Sequence, residues 1–264
     1  MSKRNDGLDL IVCERQEDAS GCLLVRHNYL ETLKRCKGFY ECPCDSGGNF
    51  RGPLVGYAGT YEDIDGKTFH FVGAKYYNFS RADQWPAVLE IFAEAASEFL
   101  YDRDIEPTVI LGVPMAGLKF SQEVAGYMEC RHIFAEKRPV LELNSGARIV
   151  EELVLARYEI YPGDQVVIGE ELVNNCSTTA KLIKLVEDAG GKVIGIVCAI
   201  NRSYPFIDQY NGIPIVSVIE QPTCQYRQDE PEVVDLVKNG NVIWKPKIKD
   251  WPRLQKVMED HGMF

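Results

Sequence analysis

The sequence predicts an α/β fold: a mostly parallel, twisted sheet with helices on both faces, plus a small hood. Three observations predict it. TVILGV (108–113), QVVIGEE (165–171), KVIGIVCAINR (192–202) and IPIVSVIE (213–220) are short apolar runs, the pattern of strands buried on both faces. Segments with apolar residues at helical spacing separate the earlier of these runs, and that alternation favours parallel β-α-β units. Turn residues mark the joints, as in PMAG (114–117), YPGD (161–164) and Gly190–Gly191.

Taken in order, residues 1–50 read as an N-terminal extension, with a helix over Tyr29–Lys37 and a Gly-rich turn in DSGGNFRG. Residues 51–84 form the hood region. Its pieces PLVGYAGTY and KTFHFVGAKYYNF are β-like, and Gly66 in DIDGK marks a hairpin turn between them. The core spans 85–220. Asp83, Gln84 and Pro86 start a helix, and Val88, Phe92, Ala95 or Ala96, and Phe99 recur along it at helical spacing. After TVILGV and the PMAG turn, Phe120, Val124 and Met128 mark the next helix. HIFAEK (132–137) reads as a strand. RPVLELNSGARIV (138–150) fits either a hairpin with its tip at NSGA or a mobile loop. Thr179, Leu182, Ile183 and Val186 share one helix face, and Gly190 with Gly191 stops that helix. Residues 221–264 form a C-terminal segment. Its Trp251, Leu254 and Met258 make an amphipathic stripe expected to pack on the core, the hood or a dimer partner.

The formal net charge of -10 argues against a general nucleic-acid binder, which needs a basic face. No apolar run approaches the roughly 18 residues of a membrane span. MSKRNDGLDL lacks a hydrophobic signal core, so a cytoplasmic protein is expected. Nine cysteines then suggest a reducing compartment. Cys36, Cys42 and Cys44 cluster; they read as free thiols of a small lobe, or as zinc ligands with a distant fourth such as Cys224.

Ligands of parallel sheets bind at the carboxyl ends of the strands, and PMAG, FAEK and EELVNNCST all fall there. Two carboxylates at the end of an apolar strand are costly to bury alone. They need a cation, a metal or hydroxyl donors. A loop entering a helix N-terminus supplies N–H groups and a positive dipole end. The combination suits a sugar phosphate, with hydroxyls on the acids and phosphate in the loop, and Ser177, Thr178 and Thr179 add hydroxyl donors. A plain strand-to-helix turn with an Asn or Ser cap is the alternative.

Apolar strand, two acids, two apolar residues, a five-residue polar loop, a helix, Ala-Gly and a second strand together resemble the phosphoribosyl pyrophosphate (PRPP) motif of type I phosphoribosyltransferases. GVPMAGLKFSQEVA (112–125), FAEK (134–137), YPGDQVVIGEE (161–171) and IPIVSVIEQPTC (213–224) are similar in order and spacing to orotate phosphoribosyltransferases. The resemblance covers roughly residues 85–225. It implies phosphoribosyl transfer from PRPP to a nucleobase, most like orotate, giving a nucleoside monophosphate and pyrophosphate. By the same resemblance Glu170 and Glu171 bind the ribose hydroxyls, directly or through magnesium-bound water. Asn174, Asn175, Cys176, Ser177 and Thr178 wrap the 5′-phosphate. Met115, Ala116 and Gly117 present backbone to pyrophosphate, and Lys137, helped by Arg138, meets it as it leaves. Residues 138–150 stand where the family has a mobile loop, and FHFVGAKYYNF lies in the hood that holds the base, with Lys75 and Tyr77 as base contacts. Mg2+ is the implied cofactor, PRPP and a nucleobase the substrates, and a homodimer the assembly.

The family loop normally reads Thr-Thr-Gly-Gly-Ser or close to it; here it is Asn-Asn-Cys-Ser-Thr. Asn tolerates left-handed geometry better than most residues and is expected to let the loop turn. Cys176 is expected to fill space beside the phosphate. The altered loop also fits a second function class, a regulatory protein that binds PRPP or a nucleotide without turnover.

Overall fold

The computed structural model describes residues 6–17, 23–142 and 148–263. In chain order its elements are β1 (Cys13–Glu17), β2 (Leu23–His27), α1 (Tyr29–Arg35), β3 (Phe39–Glu41), β4 (Leu54–Glu62), β5 (Thr68–Gly73), β6 (Lys75–Tyr77), α2 (Pro86–Tyr101), β7 (Val109–Gly112), α3 (Leu118–Tyr127) and β8 (Arg131–Phe134). They continue with β9 (Glu136–Glu142), β10 (Arg148–Val154), β11 (Gln165–Val173), α4 (Ser177–Asp188), β12 (Lys192–Asn201), β13 (Gln209–Tyr210), β14 (Ile213–Glu220), α5 (Val234–Lys238), β15 (Val242–Trp244) and α6 (Trp251–Asp260). Two compact units form, Met1–Tyr29 with Asp83–Gln221 and Leu30–Ala82 with Pro222–Phe264. No described helix is long and apolar enough to cross a membrane.

The first unit is built on a six-stranded sheet of order β13-β14-β12-β11-β7-β8. All its pairings are parallel except that of β13, the short antiparallel edge. The apolar runs alternate between two buried faces. Val109, Leu111, Val166, Ile168, Ile196 and Cys198 pack with Leu182, Ile183 and Val186 of α4. The intervening Ile110, Val167 and Val197 are fully buried as well, and α2 and α3 pack on each other and on the strands. Each fully buried aliphatic side chain contributes about 1.5–3 kcal/mol, so the sheet is a firm base for the loops at its carboxyl end. Pro86 opens α2 without a side-chain cap. Gly190 takes φ 87° after α4, and Gly191 N–H returns to Val186 O at 3.0 Å, the expected glycine stop.

HIFAEK is two strands rather than one. The register of β8 on β7 ends with Phe134 opposite Gly112, where β7 itself ends. Beyond Ala135 the chain needs a new partner for its backbone, and β9 finds it in β10. These two form an antiparallel hairpin with Lys137 opposite Leu153. The hairpin reading of 138–150 therefore holds for its arms; the expected NSGA tip lies outside the described residues.

The second unit holds the sheet β15-β4-β5 and the pair β3-β6. Gly66 makes the β4–β5 turn at φ 75°, and Asp63 N–H bonds Lys67 O at 3.0 Å. Trp251, Leu254 and Met258 of α6 are buried with Tyr40, Val55, Tyr57 and Ile243. The C-terminal stripe thus docks among strands of the hood region. The stretch 1–50 is divided, its β1–β2 hairpin belonging to the first unit and α1 and β3 to the second. Cys42, Cys44 and Cys224 line one cleft with Glu41 and Lys75. They are free thiols, and no three His, Cys, Asp or Glu side chains among the described residues are grouped to hold a metal.

Candidate functional site

The site is assembled in the first unit, where β7, β11 and β12 end. Glu170 and Glu171 belong to the last turn of the pleat in β11, so they point to opposite faces. Glu170 lies opposite Cys198 of β12 in register, and the Thr179 hydroxyl of α4 donates to its Oε2 at 3.0 Å. Burial pushes its carboxyl up to about 7, against the lowering effect of the Thr179 bond. Glu171 also rises to about 7, first from burial, then from the negative charges of Asp83 and Glu170. Its Oε2 is buried with no hydrogen-bond partner among the described residues. Both acids are therefore only partly charged at neutral pH and would gain charge beside a cation or hydroxyl donors.

The loop between β11 and α4 keeps a glycine-like backbone without glycine. Cys176, the residue before α4, sits at φ 54°, ψ 21°, a left-handed geometry that costs a side chain about 1 kcal/mol or more. Cys176, not an asparagine, makes this turn. Nor does its side chain fill the loop: it is 3% exposed and packs in the core with Val173, Leu182 and Cys198. A small thiol behaves as an apolar group and can drop inward there. Burial pushes that thiol up to about 11, helped by the charge of Glu170, so it is no nucleophile at neutral pH. Asn175 Oδ1 accepts from Ser177 N–H at 3.2 Å, and both residues are exposed. Asn174 and Thr178 are half-buried. The Cys176 side chain makes no cap bond, and apart from the Ser177 N–H held by Asn175 the first-turn N–H groups of α4 can meet an anion at the loop.

The turn after β7 approaches the acid strand closely. Val113 N–H bonds Gly169 O at 2.9 Å. A Cβ on Gly117 would lie 2.8 Å from Gly169 O and 3.1 Å from Glu170 Cα, so only glycine fits. Ser121 of α3 fills the space over Gly169 and bonds His132 Nε2 at 2.9 Å. Met115 and Ala116 are exposed at the tip, where the Pro114–Met115 peptide is cis.

Lys137 and Arg138 are exposed on β9. Lys75 and Tyr77 belong to the second unit. Lys75 is ion-paired with Glu41 at 3.1 Å. Tyr77 is buried, its hydroxyl 3.1 Å from that of Thr223. Three further residues bear on the site, and the sequence reading missed the part of two of them, Asp83 and Arg202. Asp83, expected only as a helix start, is buried and pairs with Lys119 Nζ at 3.2 Å. Thr179, expected both on a packing face and as a hydroxyl donor near the acids, donates to Glu170. Arg202 is buried just beyond β12, and its N–H bonds Val173 O at 2.9 Å, beside the loop. Its one signal was a cation ending a long apolar run.

A family model of the phosphoribosyl transferase domain matches residues 80–227. Orotate phosphoribosyltransferase of Caldicellulosiruptor bescii is 25% identical over 174 residues, 66% of this chain and 82% of its own. The orotate phosphoribosyltransferase of Caldanaerobacter subterraneus subsp. tengcongensis is 29% identical over 172 residues, 65% of this chain and 81% of its own. Among solved structures, adenine phosphoribosyltransferase of Thermoanaerobacter pseudethanolicus superposes with TM-score 0.45 at 20% identity, covering 61% of this chain and 94% of its own.

Proposed function

This chain belongs to the phosphoribosyl transferase family, and we propose that it transfers the phosphoribosyl group of PRPP to orotate, giving a nucleoside 5′-monophosphate and pyrophosphate. The observation that carries this reading is the loop at Cys176. It makes its left-handed turn without glycine and buries the thiol, so the N-terminus of α4 opens at the end of a short polar loop that follows two carboxylates. The relatives named as orotate enzymes support the choice of base. So does Arg202, a buried guanidinium at the same strand ends, suited to a carboxylate-bearing base.

In this reading, loop 174–178 takes the 5′-phosphate and the acids take the ribose hydroxyls. Backbone of Met115, Ala116 and Gly117 takes the pyrophosphate. The base nitrogen attacks the anomeric carbon, its electron pair forming the new C–N bond as the C–O bond to pyrophosphate breaks. The leaving oxygen keeps the bonding pair, and the base proton passes to solvent. Negative charge grows on the leaving group and positive charge on the ribose ring. Lys137 and Arg138 neutralise the first, while Glu170 and Glu171 favour the second. Magnesium fits these residues as an ion carried by the substrate phosphates. Oxygen donors suit it, Glu170 and Glu171 would help hold it through bound water, and no cluster of three ligands among the described residues would hold it alone. When bound, it supplies charge neutralisation on the pyrophosphate. Closure of the β9–β10 hairpin over the site and a homodimer belong to the same proposal.

The test is turnover with orotate, PRPP and magnesium, followed by the loss of orotate absorbance. Lys137→Ala, an exposed change, should leave the melting temperature intact and lower kcat at least 100-fold. Transfer at the normal rate in that variant removes the role of Lys137. Retention of PRPP with no product from any base would support the second reading, a regulatory binder.

A further inference from the structure

We propose that Thr179 is a positioning residue that aims Glu170 and ties it to the phosphate loop, so that phosphate and ribose are recognised as one unit. This deepens the transferase reading and rests on it. Thr179 is fully buried in the first turn of α4, the turn whose N-terminus faces the loop. Its hydroxyl donates to Glu170 Oε2 at 3.0 Å. One carboxylate oxygen is thereby held, and the other is left for a ligand hydroxyl. Thr179 stands three residues after Cys176, the residue that sets the loop's left-handed turn. One buried hydroxyl thus links the first turn of the helix to the acid. A bound 5′-phosphate that steadies the first turn of α4 also fixes the carboxylate that reads the sugar. Without the hydroxyl, Glu170 would keep a desolvated oxygen with no donor, which is costly for a charged group.

Thr179→Val removes the hydroxyl at nearly constant shape, and Thr179→Ser keeps it. Isothermal titration of each full-length protein with PRPP and, separately, with inorganic phosphate reads the coupling. The valine variant should bind PRPP about 10-fold more weakly, the loss of one charge-assisted hydrogen bond. Inorganic phosphate, which touches only the loop, should bind within about twofold of the wild type, and the serine variant should restore PRPP binding. PRPP affinity unchanged in the valine variant overturns the proposal. So does an equal loss for PRPP and phosphate, which would mean a displaced helix. Should the wild type itself retain no PRPP, the transferase reading fails separately. The carboxyl-carbon NMR signal of Glu170 in ligand-free protein at pH 8 then decides. A signal moved by valine and restored by serine supports the link, and an unmoved one ends it.

Discussion

Replacing Gly117 by alanine isolates the close approach between the turn after β7 and the acid strand. Gly117 has φ -75° and ψ -8°, ordinary helical geometry, so backbone strain is no part of the effect. Gly117 is the residue before α3, where alanine is no better than glycine, so helical preference offsets nothing. The new Cβ stands 2.8 Å from Gly169 O, with Glu170 Cα and Val113 O both at 3.1 Å. All three are backbone, so none can rotate away. The carbonyl contact is about 0.6 Å short of ordinary van der Waals separation, and either the turn or β11 must move by that amount. Overpacking of this kind costs about 1–3 kcal/mol. A chain of this length then melts about 2–12 °C lower. The functional effect should be larger, because a misplacement near 1 Å costs on the order of 100-fold in a positioned reaction. Gly117→Ala is expected to lower kcat/KM for PRPP about 10- to 100-fold and to weaken pyrophosphate binding measured by calorimetry. A variant with wild-type melting temperature and kcat/KM within twofold would refute the reasoning, since the turn would then have room it is not seen to have.

The raised carboxyl of Glu170 gives a signed dependence on pH. Its folded value of about 7 exceeds the ordinary 4.5, so the native state binds more protons than the unfolded chain between those values. Stability from this group is full below pH 4.5 and is lost as pH rises towards 7. Glu170→Gln should therefore match the wild type near pH 4.5 and exceed it by about 1–3 kcal/mol above pH 7; a melting-temperature difference that does not change with pH would contradict this. At Cys176, glycine relieves about 1 kcal/mol of left-handed strain but loses about 1 kcal/mol of buried side chain. Cys176→Gly should thus keep stability within about 1 kcal/mol and PRPP binding within about threefold. Cys176→Val, β-branched at φ 54°, should lose at least 2 kcal/mol and most PRPP binding in calorimetry; an unharmed valine variant would show that the loop turns elsewhere.

Local pattern was enough to order the parallel core. TVILGV, QVVIGEE, KVIGIVCAINR and IPIVSVIE became β7, β11, β12 and β14, because burial on both faces requires such runs and period alone reveals them. The acid pair, the polar loop and the helix behind it were legible for the same reason: they are neighbours in the chain, and their chemistry follows from adjacency. The family emerged from four such local motifs in sequence order. What adjacency cannot specify is where a side chain goes once distant elements meet. Asp83 finds Lys119 across 36 residues and Thr179 finds Glu170 across a loop. Cys176 turns inward because Val173, Leu182 and Cys198 close around it, a decision of core packing rather than of loop composition. FAEK breaks at Ala135 because β7 ends there and leaves the next residues without a backbone partner. The C-terminal stripe was visible as a stripe, yet its docking on Tyr40, Val55 and Tyr57 joins residues some 200 positions apart. Periodicity is written along the chain, whereas the partner of each buried or charged group is chosen by packing and desolvation among segments that only the folded chain brings together.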